Sequence, residues 1–306
     1  MRPYVAQINI ARLRAPLDDP LVAEFAENLK RINALADAAA GFVWRLQTGD
    51  GDATSIRAFP DPLTLVNMSV WESVEALRAY VYRTQHRDFV KRRAMWFEDG
   101  SSELALWWVP PDHVPTVEEG RRRLGFLATH GASPVVFRFG KTPAVAFVER
   151  TTLFDPATEA LVGRLNGELA AAYPEPGANH FNVDAESVLP PSGAMVRAML
   201  DGVPVGCGAI RSLSGNRAEV KRMFVDTGKR GLKLGAAILD QLEQEAVALG
   251  ATELVLETGI RQQAAIGLYE RAGFERIPLW GEYLDSPETS VCYGKQLTPG
   301  RGYPFE

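Results

Sequence analysis

The chain has 306 residues, of which 46% are hydrophobic and 23% are charged. This is an ordinary globular composition, and the length suffices for two domains. Two cysteines, Cys207 and Cys292, are too few for a disulfide framework, and no apolar run is long enough to predict a membrane span. The first residues lack the apolar segment of a signal peptide, so we expect a cytoplasmic protein with reduced thiols.

The two halves of the chain differ in charge. Residues 1–142 carry 18 Lys and Arg against 17 Asp and Glu, whereas residues 143–306 carry 15 against 21. Neither half is basic, so the sequence predicts no nucleic-acid partner. The acidic second half suits a cationic amine substrate, although solvated surface charge explains it equally well.

Hydrophobic periodicity predicts the elements of the first 142 residues. They are a strand at 4–13, a helix at 21–40, strands at 41–46 and 63–71, helical segments at 73–81 and 85–97, a strand at 104–109, a helix at 117–128 and a short strand at 135–139. The order β-α-β-β-α-β predicts a ferredoxin-like α+β domain.

Few residues of this half indicate chemistry of their own. His86 lies in a predicted helical break, where a histidine can be a ligand or base. We favour a partly exposed polar residue there. Alternation places Trp107 and Trp108 on opposite faces of a strand. The histidines show no metal-ligand spacing, so no metal is predicted.

Three segments of this half carry a resemblance to known proteins: Val70–Leu77, Trp96–Glu98 and Leu106–Pro110. Through them, residues 3–140 resemble a bacterial family of unknown function related to the dimeric α+β barrels of the antibiotic-biosynthesis-monooxygenase type. The resemblance implies a homodimer formed through residues 1–110. It leaves open whether this domain is accessory, a cofactor-free oxygenase, or a binder of haem or a small aromatic ligand.

Gly140–Pro143 predicts a domain junction, which divides the chain into residues 1–142 and 143–306. The elements predicted beyond it are a strand at 145–151, a helix capped by Asp155, strands at 194–200 and 205–211 around an Asp201-Gly202 hairpin, a strand at 219–225, a helix from about 234, a strand at 252–257, a helix at 262–272, and strands at 280–285 and 290–297.

The most informative stretch is 219–240, in which a strand runs through a glycine-bearing loop into a helix. Alternation predicts Val220, Arg222 and Phe224 on one side of the strand. The first turn of the helix has amides without helical partners, and Gly231 and Gly235 allow close approach. This arrangement predicts a phosphate-binding site.

The segment Arg230–Gly235 resembles the acyl-CoA-binding motif Gln/Arg-x-x-Gly-x-Gly/Ala of the GNAT superfamily of N-acetyltransferases, with Lys233 in place of the middle glycine. Leu254–Thr258 resembles the family's next strand, and Tyr269–Phe274 its Tyr-x-x-x-Gly-Phe signature. Gln262 stands where the family often has Asn. The resemblance covers residues 144–297 and implies a GNAT-like mixed-sheet α/β domain that transfers acetyl from acetyl-CoA to a small amine.

The resemblance also implies which residues hold the coenzyme. They are Met223, Phe224, Val225, Arg230, Gly231, Leu232, Lys233, Leu234, Gly235, Ala236 and Gln262. The strand residues 223–225 have free polar groups only if the neighbouring strand splays away.

Three further roles are predicted around the thioester. Tyr269 donates a proton to the leaving thiolate, or is a core aromatic. Glu219 is the general base, or a strand-end carboxylate, and Glu257 is a second candidate. Tyr173 and His180 are substrate-side residues, although Tyr173 fits equally well as packing at a helix end. A protein that binds acetyl-CoA without turnover is the competing interpretation.

Overall fold

The structure is a computed structural model that describes residues 2–175 and 184–297. These residues form two compact units, of which the first ends at Ala144 and the second begins at Val145. Each unit has its own sheet. None of the helices in the described ranges combines the length and the apolar character that crossing a membrane requires.

The first unit is a five-stranded antiparallel sheet with helices. Its elements are β1 (Tyr4–Arg12), α1 (Ala23–Asp37), β2 (Phe42–Arg45), β3 (Thr64–Trp71), α2 (Val74–Arg83), α3 (His86–Arg92), β4 (Glu103–Val109), α4 (Val117–His130) and β5 (Val136–Phe137). The strand order is β2-β3-β1-β4-β5. The helix predicted at 85–97 is shorter, because a 3-10 turn at Arg93–Met95 follows α3.

One face of this sheet packs closely against α4. Gly120 of α4 lies over Ile8 of β1, where a Cβ atom would come within 2.7 Å of Ile8 Cδ1. On the same face Trp107 Nε1 donates to Glu119 Oε1 at 2.8 Å. Trp108 points the other way and donates to the carbonyl of Ala144 at 3.2 Å. The two tryptophans therefore lie on opposite faces, as alternation predicts.

The second unit is a seven-stranded mixed sheet. Its elements are β6 (Ala146–Thr151), α5 (Pro156–Ala172), β7 (Gly193–Leu200), β8 (Val203–Leu213), β9 (Arg217–Val225), α6 (Leu234–Ala248), β10 (Glu253–Gly259), α7 (Gln263–Arg271), β11 (Glu275–Ile277) and β12 (Ser290–Gln296). The strand order is β11-β12-β10-β9-β8-β7-β6. Within the described residues β9 and β10 form the one parallel pair, and this pair borders the candidate site.

Local signals of the second unit predicted its caps and its hairpin. Asp155 accepts hydrogen bonds from the amides of Ala157 and Thr158, both at 3.0 Å, and so caps α5. Asp201 and Gly202 have φ values of 49° and 80°, which fits a two-residue hairpin turn between β7 and β8.

Two predictions about this unit are wrong. Residues 281–285 form a 3-10 helix and not a strand, and the edge strand is β11. Pro278 offers no N–H to a ladder, and Gly281 has a φ of 54°, which suits a turn.

The second error concerns alternation along β9. Arg222 has a φ of 59° and lies in a β-bulge, where the register between β8 and β9 shifts. Beyond the bulge Phe224 packs with Leu161 and Leu165 of α5. Phe224 therefore lies on the face opposite to Val220, because the extra residue reverses the alternation.

Candidate active site

The parallel strands β9 and β10 separate halfway along their length. Their ladder runs from the pair Arg217–Glu253 to the pair Val220–Leu256 and ends there. Beyond it β9 continues to Val225 beside β8, while β10 continues to Gly259 beside β12. The backbone of residues 223–225 therefore borders a gap and has no ladder partner in β10. This is the splay that the predicted thioester contacts require.

The gap leads to the beginning of α6. Gly231 has a φ of 83°, and Lys233 has φ 63° and ψ 14°, so the loop takes two left-handed residues before Leu234. The amides of residues 234–236 have no carbonyl partner within the helix, because they belong to its first turn. No acidic side chain lies in that turn. The amides and the helix dipole together suit a phosphate.

Ion pairs fasten this loop to α5. Arg230 donates through Nε to the carbonyl of Val225 at 3.0 Å and pairs with Glu168 at 2.6 Å. Arg164 makes a two-bond pair with Asp226, at 2.8 and 3.2 Å. The Arg230 side chain therefore supports the shape of the loop.

Tyr269 lies in α7 and is 4% exposed. Burial raises the pKa of its phenol well above the ordinary value, and the negative charge of Glu257 raises that pKa further. Glu257 is the first residue of β10 beyond its last pair with β9. A carboxylate at the gap and a protonated phenol are thus close enough to influence each other.

Glu219 is fully buried, and donors occupy both of its carboxylate oxygens. Arg211 Nε donates to Oε2 at 2.6 Å, while Lys221 Nζ lies 3.3 Å from Oε1. The hydroxyl of Tyr283 also donates to Oε1. Arg211 and Lys221 extend the network to Glu282, at 3.1 and 3.4 Å.

Sequence reasoning missed the three partners of Glu219. Lys221 stands two residues along the same strand, so alternation was a usable signal for it. Tyr283 follows Glu219 by 64 residues and comes near only through the fold. No local pattern pointed to it or to Arg211.

Tyr173 directly follows α5 as its C-cap, and it contacts the connection between β10 and α7. Its hydroxyl oxygen accepts a hydrogen bond from the amide of Arg261 at 2.6 Å. The ring lies against Gly259, where a Cβ atom would come within 2.1 Å of Tyr173 Oη. Burial raises the pKa of the Tyr173 phenol. Gln262 precedes α7, and its backbone N–H donates to the carbonyl of Gly259 at 2.9 Å. His180 lies outside the described residues.

Two carboxylates project from one face of the sheet. Glu219 is paired with Val255, so Glu257, two residues further along β10, points to the same side. Burial and then the charge of Glu219 raise the pKa of Tyr283, and Glu257 adds to that effect. A carboxylate can hold a cationic group and accept a proton from it, but on this face Arg211 and Lys221 already pair with Glu219.

Two family models match the chain. A domain of unknown function, DUF3291, matches residues 4–151. The acetyltransferase (GNAT) family matches residues 151–274, which contain the gap and the beginning of α6.

Two proteins that are similar to this chain in sequence agree with the second match. The IAA acetyltransferase of Azospirillum brasilense is 36% identical over 146 residues, which are 47% of this chain and 94% of that protein. An uncharacterized N-acetyltransferase of Schizosaccharomyces pombe is 33% identical over 34% of this chain and 63% of its own length. A solved GNAT-family acetyltransferase of Staphylococcus aureus aligns with 49% of this chain and 99% of its own, at 19% identity and a TM-score of 0.42. Through its second unit the chain belongs to the GNAT acetyltransferase family, and it is an acyltransferase.

Proposed function

We propose that the second unit transfers the acetyl group of acetyl-CoA to the amine of a small molecule, in the gap between β9 and β10. The observation that carries this proposal is the separation of these two parallel strands next to the beginning of α6. It gives a thioester a strand edge to bind and gives a diphosphate a row of free amides.

The coenzyme would be held chiefly by backbone. The amides of Leu234, Gly235 and Ala236 would bind the diphosphate, and the edge of β9 at residues 223–225 would bind the pantetheine arm. Lys233 is exposed and adds a positive charge beside that cradle. Arg230 and Gly231 shape the loop, Leu232 is half-buried within it, and Gln262 contributes from the beginning of α7.

In the proposed reaction the amine nitrogen attacks the thioester carbonyl carbon, and the C–S bond breaks. The amine gives up a proton to a carboxylate, and the departing thiolate receives a hydrogen bond and then a proton from the phenol of Tyr269. Glu257 suits the base because it lies at the gap. Glu219 remains the other candidate, although donors already occupy its two oxygens.

The experiment measures thiol release from acetyl-CoA with a panel of small primary amines. We expect Tyr269→Phe to lower kcat about 100-fold while acetyl-CoA affinity changes little, because a positioned proton donor contributes on that order. Tyr293→Phe is the control, since it removes a hydroxyl that bonds to Glu270 in the same unit. Stabilisation by acetyl-CoA without turnover of any amine would favour a binding protein, and full activity of Tyr269→Phe would remove that residue from the mechanism.

The same assay distinguishes the two carboxylates. If Glu257 is the base, Glu257→Gln removes the acidic limb of the pH–rate profile, while Glu219→Gln lowers thermal stability and keeps the shape of the profile. The reverse pattern would assign the proton transfer to Glu219.

For the first unit we propose a ferredoxin-like fold that pairs into a homodimer. The order β2-β3-β1-β4 within its antiparallel sheet, with α1 following β1 and α2 following β3, supports the fold. A mass of 33.6 kDa in light scattering, which is that of one chain, would contradict the homodimer.

A further inference from the structure

The first unit contains a cavity of about 380 Å³ between its sheet and the helices α1, α2 and α3. We propose that this cavity binds an uncharged, planar aromatic molecule that carries both a carbonyl and an N–H or O–H group on one edge. The proposal is separate from acetyl transfer, because every residue that lines the cavity lies before residue 140.

The two faces of the sheet carry different kinds of side chain. On the face toward α4, Ile8 and Met68 are paired and fully buried, as in an ordinary core. On the other face, the neighbouring pairs are Gln7 with Ser69 and Asn9 with Asn67. These four polar side chains form a compact patch on the floor of the cavity, which we call the amide patch. Gln7 and Ser69 are buried, Asn9 is half-buried and Asn67 is exposed. A buried polar group is costly unless it is hydrogen-bonded, so Gln7 and Ser69 call for hydrogen-bonding partners.

The amide patch has hydrogen-bonding capacity that the described residues leave unused. Gln7 is 6% exposed, and its Nε2 donates to Asn67 Oδ1 at 2.6 Å and to Ser69 Oγ at 3.0 Å. Ser69 Oγ also accepts a hydrogen bond from Trp71 Nε1 at 2.8 Å, so the hydroxyl proton of Ser69 remains available to donate. No described group donates to Gln7 Oε1. The patch therefore presents both acceptors and donors to the cavity.

Aromatic rings form much of the remaining wall. Trp71 and Tyr80 are stacked, with centroids 5.1 Å apart and planes 25° apart, and His86 lies 4.7 Å from Tyr80. Phe25 and Trp96 also line the cavity, with ring centroids 5.9 Å apart. Flat rings favour a flat ligand, because stacking adds to the burial of apolar area.

The wall contains three charged residues, Arg45, Asp52 and Arg93. Arg93 is exposed and donates to the carbonyl of Val90 at 3.0 Å. Arg45 makes a two-bond pair with Asp37, at 2.7 and 3.1 Å, and donates to the carbonyl of Gly51 at 2.8 Å. Asp52 accepts from the amide and the hydroxyl of Thr54, at 2.9 and 2.6 Å. Burial lowers the pKa of His86, which favours the neutral form of its ring. At the buried part of the amide patch a charged ligand would lose its hydration, while Arg45 is already paired with Asp37 and Arg93 is exposed to solvent, which favours an uncharged ligand.

The test titrates the full chain with carbostyril, a neutral bicyclic lactam, and follows tryptophan fluorescence and binding heat. We expect saturable binding at one site. N-methylcarbostyril, which lacks the N–H, and naphthoate, which is charged, should each bind at least about tenfold more weakly. No saturable carbostyril binding up to about 1 mM, or tighter binding of naphthoate, would overturn the proposal.

Variants locate the site. Asn67→Leu, and the double change Gln7→Leu with Asn67→Leu, should raise the Kd for carbostyril at least about tenfold. Met68→Leu is the matched control on the same strand, because its side chain faces α4, and its Kd should stay unchanged. If the double variant does not fold, the Kd of Asn67→Leu alone tests the site, because Asn67 is exposed and its replacement should not prevent folding. Equal affinity of Asn67→Leu and the unchanged chain would overturn the assignment to the amide patch.

Discussion

Lys233 occupies a backbone conformation that suits glycine better than lysine. Its φ of 63° and ψ of 14° are left-handed, and a side chain there costs on the order of 1 kcal/mol. We expect Lys233→Gly to raise the free energy of unfolding by about 0.5–1 kcal/mol, measured by urea denaturation. Lys229→Gly, in the preceding 3-10 turn, is the control and should lower it by a similar amount. Equal destabilisation by both changes would contradict the conclusion that the backbone at Lys233 favours glycine.

The loop before α6 was predictable from the sequence, whereas the network around Glu219 was not. A glycine is expected at the position of Lys233 because the chain must turn left-handed before α6, and the structure keeps that turn with lysine. The loop and the helix start were therefore readable from Gly231, Gly235 and the helical spacing beyond them. The network around Glu219 was not, because the sheet order and not the sequence distance brings Arg211 and Tyr283 to it.

At the scale of elements, α4 approaches its sheet through Gly120. An added Cβ would lie 2.7 Å from Ile8 Cδ1 and 3.1 Å from Met68 Sδ, and both of those side chains are fully buried. We expect Gly120→Ala to lower the free energy of unfolding by about 1–2 kcal/mol, because overpacking outweighs the higher helix propensity of alanine. The measurement is denaturant unfolding followed by circular dichroism.

Gly163 of α5 provides the comparison for that change. It is an exposed helical glycine whose added Cβ would meet nothing within 4 Å. Gly163→Ala should therefore raise the free energy of unfolding by about 0.5–1 kcal/mol through helix propensity alone. If both alanine variants stabilised the protein, the result would contradict the close packing of α4 against β1 and β3 at Gly120.

Elements were predictable where their signals are local. Asp155 with Pro156 marked the beginning of α5, and Asp201-Gly202 marked the hairpin, because caps and turns depend on neighbouring residues. The bulge at Arg222 and the end of the β9–β10 ladder depend on the partner strands, so alternation alone placed Phe224 on the wrong face. The separation of the strands, on which the proposed function rests, appeared in the sequence only as a requirement of the family resemblance.

At the scale of the whole molecule, each unit has a hydrophobic core of its own. In the first unit Leu13, Val22 and Trp96 are buried together. In the second, Leu161, Met195 and Phe224 belong to one cluster. Ligands of the two proposed sites should therefore stabilise different parts of the chain, because a ligand stabilises the unit that folds around it.

Calorimetric unfolding of the full chain tests this expectation. At a concentration of 100 times its Kd, acetyl-CoA should stabilise one transition by about 2.7 kcal/mol, and carbostyril should stabilise another by a similar amount. Asn67→Leu should abolish the effect of carbostyril and leave that of acetyl-CoA, because Asn67 belongs to the amide patch of the first unit. Tyr269→Phe should leave both shifts, since it affects proton transfer and not coenzyme binding. A single transition that both ligands raise equally would contradict separate stabilisation, while a shift with acetyl-CoA alone would count against the cavity and leave the acetyl-transfer proposal standing.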